Sequence, residues 1–255
     1  MTEISEYRQG TPCWVDLWTP DRQASMDFYA GVFGWQYRVA PAEQHFYTEA
    51  LIGGKTVAGI ISPPGGPGDS PLVWVTYLAV DDLDAALAAI AEHGGQSLTG
   101  AIDVPGADGI RITLATDPTG AMFGAWQSRT RSGAQVANEP GTQVWNELTT
   151  QDPETARKFY AAVFGLEISA SVLGDFDYTT IRVDGRPVGG IGAAGGSAQA
   201  GWGTYFAVAD TDGSADAVRA GGGSVVSEPT DTPFGRMATC ADPHGSPFYL
   251  MSTPG

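Results

Sequence analysis

The stretch Phe28-Tyr-Ala-Gly-Val-Phe-Gly-Trp35 occurs twice in the chain, the second time as Phe159-Tyr-Ala-Ala-Val-Phe-Gly-Leu166. The two copies lie 131 positions apart and share six of eight residues. The same offset aligns Gly10-Thr-Pro-Cys-Trp-Val-Asp-Leu17 with Gly141-Thr-Gln-Val-Trp-Asn-Glu-Leu148, which share four of eight residues. Two aligned blocks in the same order indicate an internal repeat.

The repeat continues through each half, with small deletions that change the offset. Thr76-Tyr-Leu-Ala-Val-Asp-Asp82 matches Thr204-Tyr-Phe-Ala-Val-Ala-Asp210 at an offset of 128, and Asp117-Pro-Thr-Gly120 matches Asp242-Pro-His-Gly245 at an offset of 125. Four blocks in a shared order indicate a duplication of one domain of roughly 120 residues. We expect a first domain at 9–128, a linker at 129–140 and a second domain at 141–253.

Each half also repeats one order of secondary structure. A strand at 13–18 precedes a helix that begins after Asp21 and ends at Gly34, because Asp favours helix N-caps and Gly favours C-caps. Two short apolar runs joined at Gly53-Gly54 predict a hairpin. A further strand, a helix that begins after Asp82 and two closing strands follow. This β-α-β-β order occurs twice per half and predicts an α+β fold.

The composition excludes several classes of partner. The 255 residues carry 13 Lys and Arg against 29 Asp and Glu, a net charge of −16, which repels nucleic acid and anionic lipid. No run approaches the roughly 18 apolar residues of a membrane span, and the N-terminus has no signal-peptide pattern. Two cysteines without CxxC spacing fit a reducing compartment. We expect a cytoplasmic protein that binds neither nucleic acid nor membrane, and we leave its oligomeric state open.

The helix ending Phe-Tyr-x-x-Val-Phe-Gly, the second strand ending Val-Asp-Asp and the closing Asp-Pro-x-Gly turn resemble the vicinal oxygen chelate superfamily. This superfamily contains glyoxalase I, extradiol dioxygenases and bleomycin-resistance proteins. The resemblance covers nearly the whole chain and is strongest to actinobacterial two-domain glyoxalase-like proteins. It implies tandem domains, each made of paired βαβββ modules whose sheet forms an open cup. It does not imply one chemistry, because members bind, isomerise, cleave rings or sequester.

In the metalloenzymes that this chain resembles, His, Gln or Glu on the first, fifth and last strands hold a divalent cation in the cup. The residues at the corresponding positions here are Trp14, Val75, Gly124, Trp145, Gly203 and Tyr249. Indole, aliphatic and glycine side chains donate no lone pair to a cation, so Tyr249 alone could ligate one. We therefore expect no metal site and no other cofactor.

Strand alternation predicts which residues face the cup. With Trp14 in the cup, Asp16 shares its face, while Cys13 and Val15 face the helices. The same rule gives each half one carboxylate among aromatic rings. The expected ligand-binding residues are Trp14, Asp16, Tyr77 and Trp126 in the first half, and Trp145, Glu147, Tyr205 and Tyr249 in the second.

Several interpretations of these patterns stay open. The aromatic side chains could simply fill each cup as core, although a buried unpaired carboxylate costs several kcal/mol. Arg111 and Arg236 align between the halves and could form buried ion pairs with the carboxylates. Asn146 falls on the helix side, where an amide needs partners. Segments rich in Gly and Pro at 62–71 and 193–201 are candidate lids.

The leading functional hypothesis is metal-independent binding of a hydrophobic aromatic small molecule in one or both cups. The carboxylates Asp16 and Glu147 would select a cationic or hydrogen-bond-donating group. The alternative is a metal-free lyase, isomerase or hydroxylase-type enzyme that acts on an aromatic or polyketide-like metabolite. Its acid-base group would be Asp16 or Glu147, with Tyr77 or Tyr205 as proton partner. A metalloenzyme with other ligands and a structural role are weaker alternatives, so whether the protein is an enzyme stays open.

Overall fold

The computed structural model describes residues 3–62, 72–107, 109–130, 133–169, 177–195 and 200–252. Within these residues each half of the chain forms one mixed β-sheet and two α-helices. The α+β architecture predicted from the repeated order of strands and helices is confirmed. The predicted boundaries at 9–128, 129–140 and 141–253 stay a prediction.

The first half forms a nine-stranded sheet. Its elements are β1 Pro12–Trp18, α1 Arg22–Phe33, β2 Gln36–Val39, β3 Thr48–Ile52, β4 Lys55–Ile61, β5 Trp74–Ala79, α2 Leu83–Glu92, β6 Gln96–Ser97, β7 Ile102–Asp103, β8 Ile110–Thr116 and β9 Met122–Ser128. The strand order is β2-β3-β4-β1-β5-β9-β8-β6, and β7 pairs with β8. The central β1 runs parallel to β4 and antiparallel to β5.

The second half repeats this plan with eight strands. Its elements are β10 Gln143–Thr150, α3 Pro153–Phe164, β11 Glu167–Ser169, β12 Tyr178–Val183, β13 Arg186–Ala193, β14 Gly201–Ala207, α4 Thr211–Ala220, β15 Ser224–Thr232, β16 Gly235–Ala241 and β17 Pro247–Ser252. The order is β11-β12-β13-β10-β14-β17-β16-β15. The central β10 therefore occupies the place of β1.

The repeated sequence stretch forms the C-terminal part of a capped helix in both halves. Helix α1 begins after Asp21, whose side chain accepts a hydrogen bond from the Ala24 amide at 3.0 Å, and it ends at Gly34 with φ 71°. Asp152 and Gly165 play the same roles in α3. Glycine is favoured at these ends because a left-handed φ strains residues that have a Cβ. None of the helices in the described ranges is long and apolar enough to cross a bilayer.

The helices of each half pack against the other half. Helix α1 contacts α4, and α2 contacts α3. The ring of Tyr29 in α1 lies 5.6 Å from that of Phe248 in the second sheet, and the ring of Tyr160 in α3 lies 5.6 Å from that of Phe123 in the first. These aromatic pairs belong to two buried clusters that each combine residues of both halves. Each helix thus completes the core of its partner half.

Polar contacts repeat this exchange between the halves. The hydroxyl of Tyr29 donates to Asp242 Oδ2 at 3.3 Å, and the hydroxyl of Tyr160 lies near the carboxylate of Asp117. The two aspartates begin the Asp-Pro-x-Gly turns, and the two tyrosines belong to the repeated helix stretch. Each turn therefore binds the helix of the other half, which gives both motifs a structural reason to recur.

A β-bulge at the start of β1 corrects one prediction about side-chain direction. The register between β1 and β5 shifts between Pro12 and Trp14. Cys13 was expected to face the helices, but its thiol contacts the carbonyl oxygen of Tyr77 at 3.5 Å and joins the cluster on the opposite face. Val15, beyond the bulge, packs towards the helices as predicted.

The linker packs onto the first sheet. The amide of Ala134 donates to the carbonyl of Cys13 at 2.8 Å, and the amide of Gln135 donates to that of Thr56 at 2.8 Å. The Gln135 side chain in turn accepts from the Thr56 amide at 2.9 Å. Because β1 and β4 begin to pair only at Asp16, the linker occupies the space between their first residues.

Candidate functional site

In each sheet one face packs against the helices and the other carries the predicted aromatic residues. We call this second face cup 1 in the first sheet and cup 2 in the second. In cup 1, Trp14, Val75, Tyr77 and Trp126 form a buried cluster that contains no helical residue. Strand alternation thus predicts these four residues correctly, whereas Cys13 joins the same cluster against the prediction.

The carboxylate of cup 1 is surrounded by hydrogen-bond donors. Asp16 Oδ1 accepts from the indole N–H of Trp14 at 2.8 Å and from the hydroxyl of Tyr47 at 2.6 Å, and the hydroxyl of Tyr77 lies close to Asp16. Burial, and then the charge of Asp16, raises the pKa of both tyrosines well above its usual value, so they stay protonated donors. Gly59 of β4 pairs with Asp16 of β1, and a Cβ at position 59 would lie 2.0 Å from the carboxylate oxygen.

Cup 1 is filled by its own side chains. Trp14 is 0% exposed, Tyr77 2%, Trp126 4% and Asp16 5%. The rings of Trp14 and Trp126 lie 5.6 Å apart, and the ring of Tyr77 covers Gly124, where a Cβ would lie 2.1 Å from it. For cup 1 the simpler interpretation of the sequence, that the aromatic residues form a closed core, describes the structure.

The carboxylate of cup 2 has equivalent tyrosine partners. The hydroxyls of Tyr178 and Tyr205 lie close to Glu147, and burial raises the pKa of both hydroxyls. Burial also raises the pKa of Glu147, while these two neighbouring hydroxyls lower it in part. The indole N–H of Trp145 donates to the Tyr178 hydroxyl at 3.1 Å. Tyr205 stacks on Tyr249 with ring centroids 4.3 Å apart and planes 11° apart.

Cup 2 differs from cup 1 in being accessible. Trp145, Glu147 and Tyr249 are all partly exposed. Strand alignment supplies one cause, since two tryptophans of cup 1 have smaller counterparts in cup 2. The replacements are Trp18 by Thr149 and Trp126 by Met251. Less volume therefore lies above the carboxylate of the second half.

A cavity of about 530 Å³ adjoins cup 2 at Trp145. Val144 and Pro187 line it, where β10 and β13 begin. The corresponding residues of the first half are Cys13 and Thr56, whose backbone groups bind the linker. Proline has no N–H, so Pro187 cannot repeat the hydrogen bond that Thr56 donates. The space that the linker fills beside Trp14 is thus open beside Trp145.

The arginines do not pair with the cup carboxylates. Arg111 instead binds Asp84 with N–O distances of 2.9 and 3.0 Å. Arg236 binds Asp212 at 2.5 and 2.9 Å. The interpretation that they form buried ion pairs is wrong. Each arginine lies on the sheet face that meets a helix, and it forms an ion pair with the aspartate in the first turn of that helix.

Contact between the two sheets explains how Asn146, an amide on the helix side of its strand, finds partners. Its amide donates to the hydroxyls of Thr76 at 3.0 Å and Thr204 at 3.2 Å. These threonines are equivalent residues of β5 and β14, which touch where the two halves meet. The amide is 2% exposed and satisfied, so its role is structural.

Sequence reasoning missed Tyr47 and Tyr178, which hold the two carboxylates. They align at the offset of 131 and both precede a threonine, so the repeat contained a signal for them. Both predicted carboxylate-tyrosine pairs, Asp16 with Tyr77 and Glu147 with Tyr205, are in contact. Of the candidate lids at 62–71 and 193–201, residues 63–71 and 196–199 lie outside the described residues.

The residues present do not fit the divalent ion that the superfamily's metalloenzymes carry. Trp14 presents an N–H donor to Asp16, not a lone pair. At Gly124 and Gly203 the rings of Tyr77 and Tyr249 cover the backbone where a ligand side chain would stand. In the described part of the chain, no group of three or more His, Cys, Asp or Glu side chains converges. A catalytic metal site usually has three protein ligands, which is more than converge here.

Comparison with known proteins places the whole chain in one family. The sequence model of the glyoxalase/bleomycin resistance protein/dioxygenase superfamily matches twice, at residues 13–125 and 142–250. A Mycobacterium tuberculosis protein named "Putative glyoxylase CFP32" is 41% identical, with 98% of each chain aligned. The anthracycline biosynthesis protein DnrV of Streptomyces peucetius is 36% identical, over 97% of this chain and 95% of that protein.

Solved structures agree on the fold. The Mn(II)-bound glyoxalase from Novosphingobium aromaticivorans superposes with a TM-score of 0.67 at 18% identity, covering 99% of this chain and 83% of that one. The 2,3-dioxygenase LapB from Pseudomonas sp. KL28 gives 0.66 at 14% identity, covering 100% and 94%. With both halves matched and these relatives aligned end to end, the chain belongs to the glyoxalase/bleomycin resistance protein/dioxygenase superfamily.

Proposed function

We propose that this protein binds a hydrophobic aromatic small molecule without a metal, and that cup 2 is the binding site. The observation that carries the proposal is the partly exposed Trp145 beside the stacked rings of Tyr205 and Tyr249. Stacking on such rings adds about 0.5–1.5 kcal/mol per pair beyond the burial of apolar area. Cup 1, whose equivalent residues are buried, serves as core.

The relatives support an aromatic ligand. DnrV is named for anthracycline biosynthesis, and anthracyclines are fused-ring aromatic compounds. A planar ring system suits a site built from tryptophan and tyrosine faces. We also propose a cytoplasmic location, which is supported by two free, buried cysteines and by an excess of acidic residues.

The test is calorimetric titration with naphthalenemethanol, a neutral aromatic probe, supplemented by ligand-observed NMR for weak binding. Trp145→Ala removes the accessible ring and should weaken binding at least about tenfold, as truncation of an aromatic anchor does. The matched control is Trp18→Thr, which gives cup 1 the residue found in cup 2 and should leave affinity unchanged. Binding that survives Trp145→Ala but disappears in Trp18→Thr would place the site in cup 1.

A second candidate, metal-free acid-base catalysis, is favoured by one observation. Glu147 has a raised pKa and contacts the hydroxyl of Tyr205, so a carboxyl group could exchange a proton with a bound substrate. Mass spectrometry of aromatic ligands after incubation separates the two functions. Recovery of unchanged ligand supports binding, whereas conversion that is lost in Glu147→Gln supports catalysis.

A further inference from the structure

The carboxylate of Glu147 faces aromatic groups from several strands. Tyr178 of β12 and Tyr205 of β14 place their hydroxyls close to it, and Tyr249 of β17 stacks on Tyr205. Trp145 stands two residues away on the same face of β10 and is tied to Tyr178. The directly paired residues of β13 and β14 are Gly190 and Gly203, which have no side chains. The carboxylate therefore lies in a ring of four aromatic side chains.

Among the described residues, no basic side chain forms an ion pair with this carboxylate. Burial raises the pKa of Glu147, and its two tyrosines lower it in part. In the described part of the second half, four arginines bind other groups: Arg157 binds Asp177, Arg182 binds the hydroxyl of Ser169 and the carbonyl of Gly185, Arg219 binds Glu228 and Asp216, and Arg236 binds Asp212 and Asp231. Arg186, at the start of β13, is exposed and lines the adjoining cavity. A desolvated carboxylate without a counter-charge gains stability when a cation reaches it.

Cup 1 shows what a sealed version of the same site looks like. There Trp14 and Tyr47 both donate to Asp16 Oδ1, and the residue is 5% exposed. In cup 2 the indole N–H of Trp145 is directed to Tyr178, and Glu147 is partly exposed. Acceptor capacity on Glu147 therefore stays available to a ligand on the accessible side.

We propose that the ligand of cup 2 carries a protonated amine next to its aromatic ring system, and that Glu147 and the surrounding aromatic faces bind this ammonium group. This inference rests on the proposed function of cup 2. An ammonium ion over tyrosine and tryptophan faces gains cation–π attraction, and its hydrogen bond to a carboxylate is charge-assisted. The net charge of −16 also raises the local concentration of cationic ligands.

The experiment compares three naphthalene probes that share one ring system and differ in charge. These are naphthylmethylamine, naphthalenemethanol and naphthoic acid, titrated at neutral pH by calorimetry. We expect the amine to bind most tightly and the acid most weakly. Glu147→Gln should weaken the amine at least about tenfold, because hydrogen bonds to charged groups are worth more than neutral ones. The affinity of the neutral alcohol should change by roughly twofold or less.

Glu92→Gln is the control for loss of one negative charge, since Glu92 is exposed at the end of α2. It should leave the preference for the amine intact. Raising the salt concentration provides a measurement that needs no variant, because added salt should weaken the amine and leave the alcohol unchanged.

Equal affinities of amine and alcohol, or an amine affinity that is insensitive to both Glu147→Gln and salt, overturn the inference. In that case binding of the alcohol that depends on Trp145 leaves the proposed function standing. If none of the three probes binds, both the inference and the proposed function are overturned.

Discussion

Cup 1 and cup 2 have the same arrangement of tryptophan, carboxylate and tyrosines, and they differ in whether the cup is closed to solvent. Both place a carboxylate two residues after a tryptophan on the central strand and tie it to two tyrosines. In cup 1 the linker covers the strand start and two more tryptophans fill the space, whereas cup 2 has Thr149, Met251 and an adjoining cavity. The comparison teaches that added side-chain volume can close one copy of a repeated surface while the buried carboxylate at its centre is kept.

The largest expected difference between the cups is in stability. Trp14→Ala removes a fully buried ring and should lower the free energy of unfolding by about 3–5 kcal/mol. Trp145→Ala removes a partly exposed ring and should cost about 1–2 kcal/mol, since less apolar area leaves the core. Urea unfolding monitored by circular dichroism measures both values. Equal costs would mean that the cups do not differ in packing.

A smaller effect concerns pH. The pKa of Glu147 is raised above its ordinary value of 4.5, so the folded protein holds this proton longer than the unfolded chain. Ionisation of Glu147 therefore reduces stability as pH rises from 4.5 to the folded pKa, and the loss persists above it. Glu147→Gln has no such loss of stability. The difference between its melting temperature and that of the parent should therefore become more positive as pH rises through this window.

Glu92→Gln, measured over the same pH range, controls for the general effect of one charge. The reverse trend, with the parent gaining stability over Glu147→Gln as pH rises, would show that Glu147 is better solvated when the protein is folded. Cup 2 would then lack the desolvated carboxylate on which the amine inference depends.

The smallest expected effect is that of metal removal, which should be zero in both cups. Protein purified without chelator should contain no stoichiometric Zn, Fe, Ni or Mn, and EDTA should change neither its melting temperature nor its binding of naphthalenemethanol. Elemental analysis together with thermal scans tests this. About one metal ion per domain, removable with loss of activity, would contradict it and would restore glyoxalase or dioxygenase chemistry to first place.

Repeats and strand alternation predict the fold and most of both cups. The offset of 131 identifies the two central strands, and alternation from Trp14 places Asp16 correctly. Alternation fails at Cys13, because a bulge inserts one residue and reverses the face of what precedes it. Bulges depend on the pairing of distant strands, which a local pattern does not contain.

The choice among ion-pair partners also lies beyond a local pattern. Arg111 was a plausible partner for Asp16 by alignment, yet Asp84 in the first turn of α2 is nearer in the fold. An exposed pair avoids the cost of desolvating two charges, so the arginine stays at the surface. The different accessibility of the cups depends on the linker and Pro187, which lie far apart in the chain.

The exchange of contacts between the halves has a consequence for the origin of the chain. Tyr29 binds Asp242 of the second half, and Tyr160 lies near Asp117 of the first half, so the two halves make corresponding contacts. Such reciprocity is the mark of an isologous interface around a two-fold axis. The chain therefore has the architecture of a homodimer whose protomers became covalently joined. Within one chain the two halves are free to differ in sequence, so that cup 1 is closed while cup 2 is open to solvent.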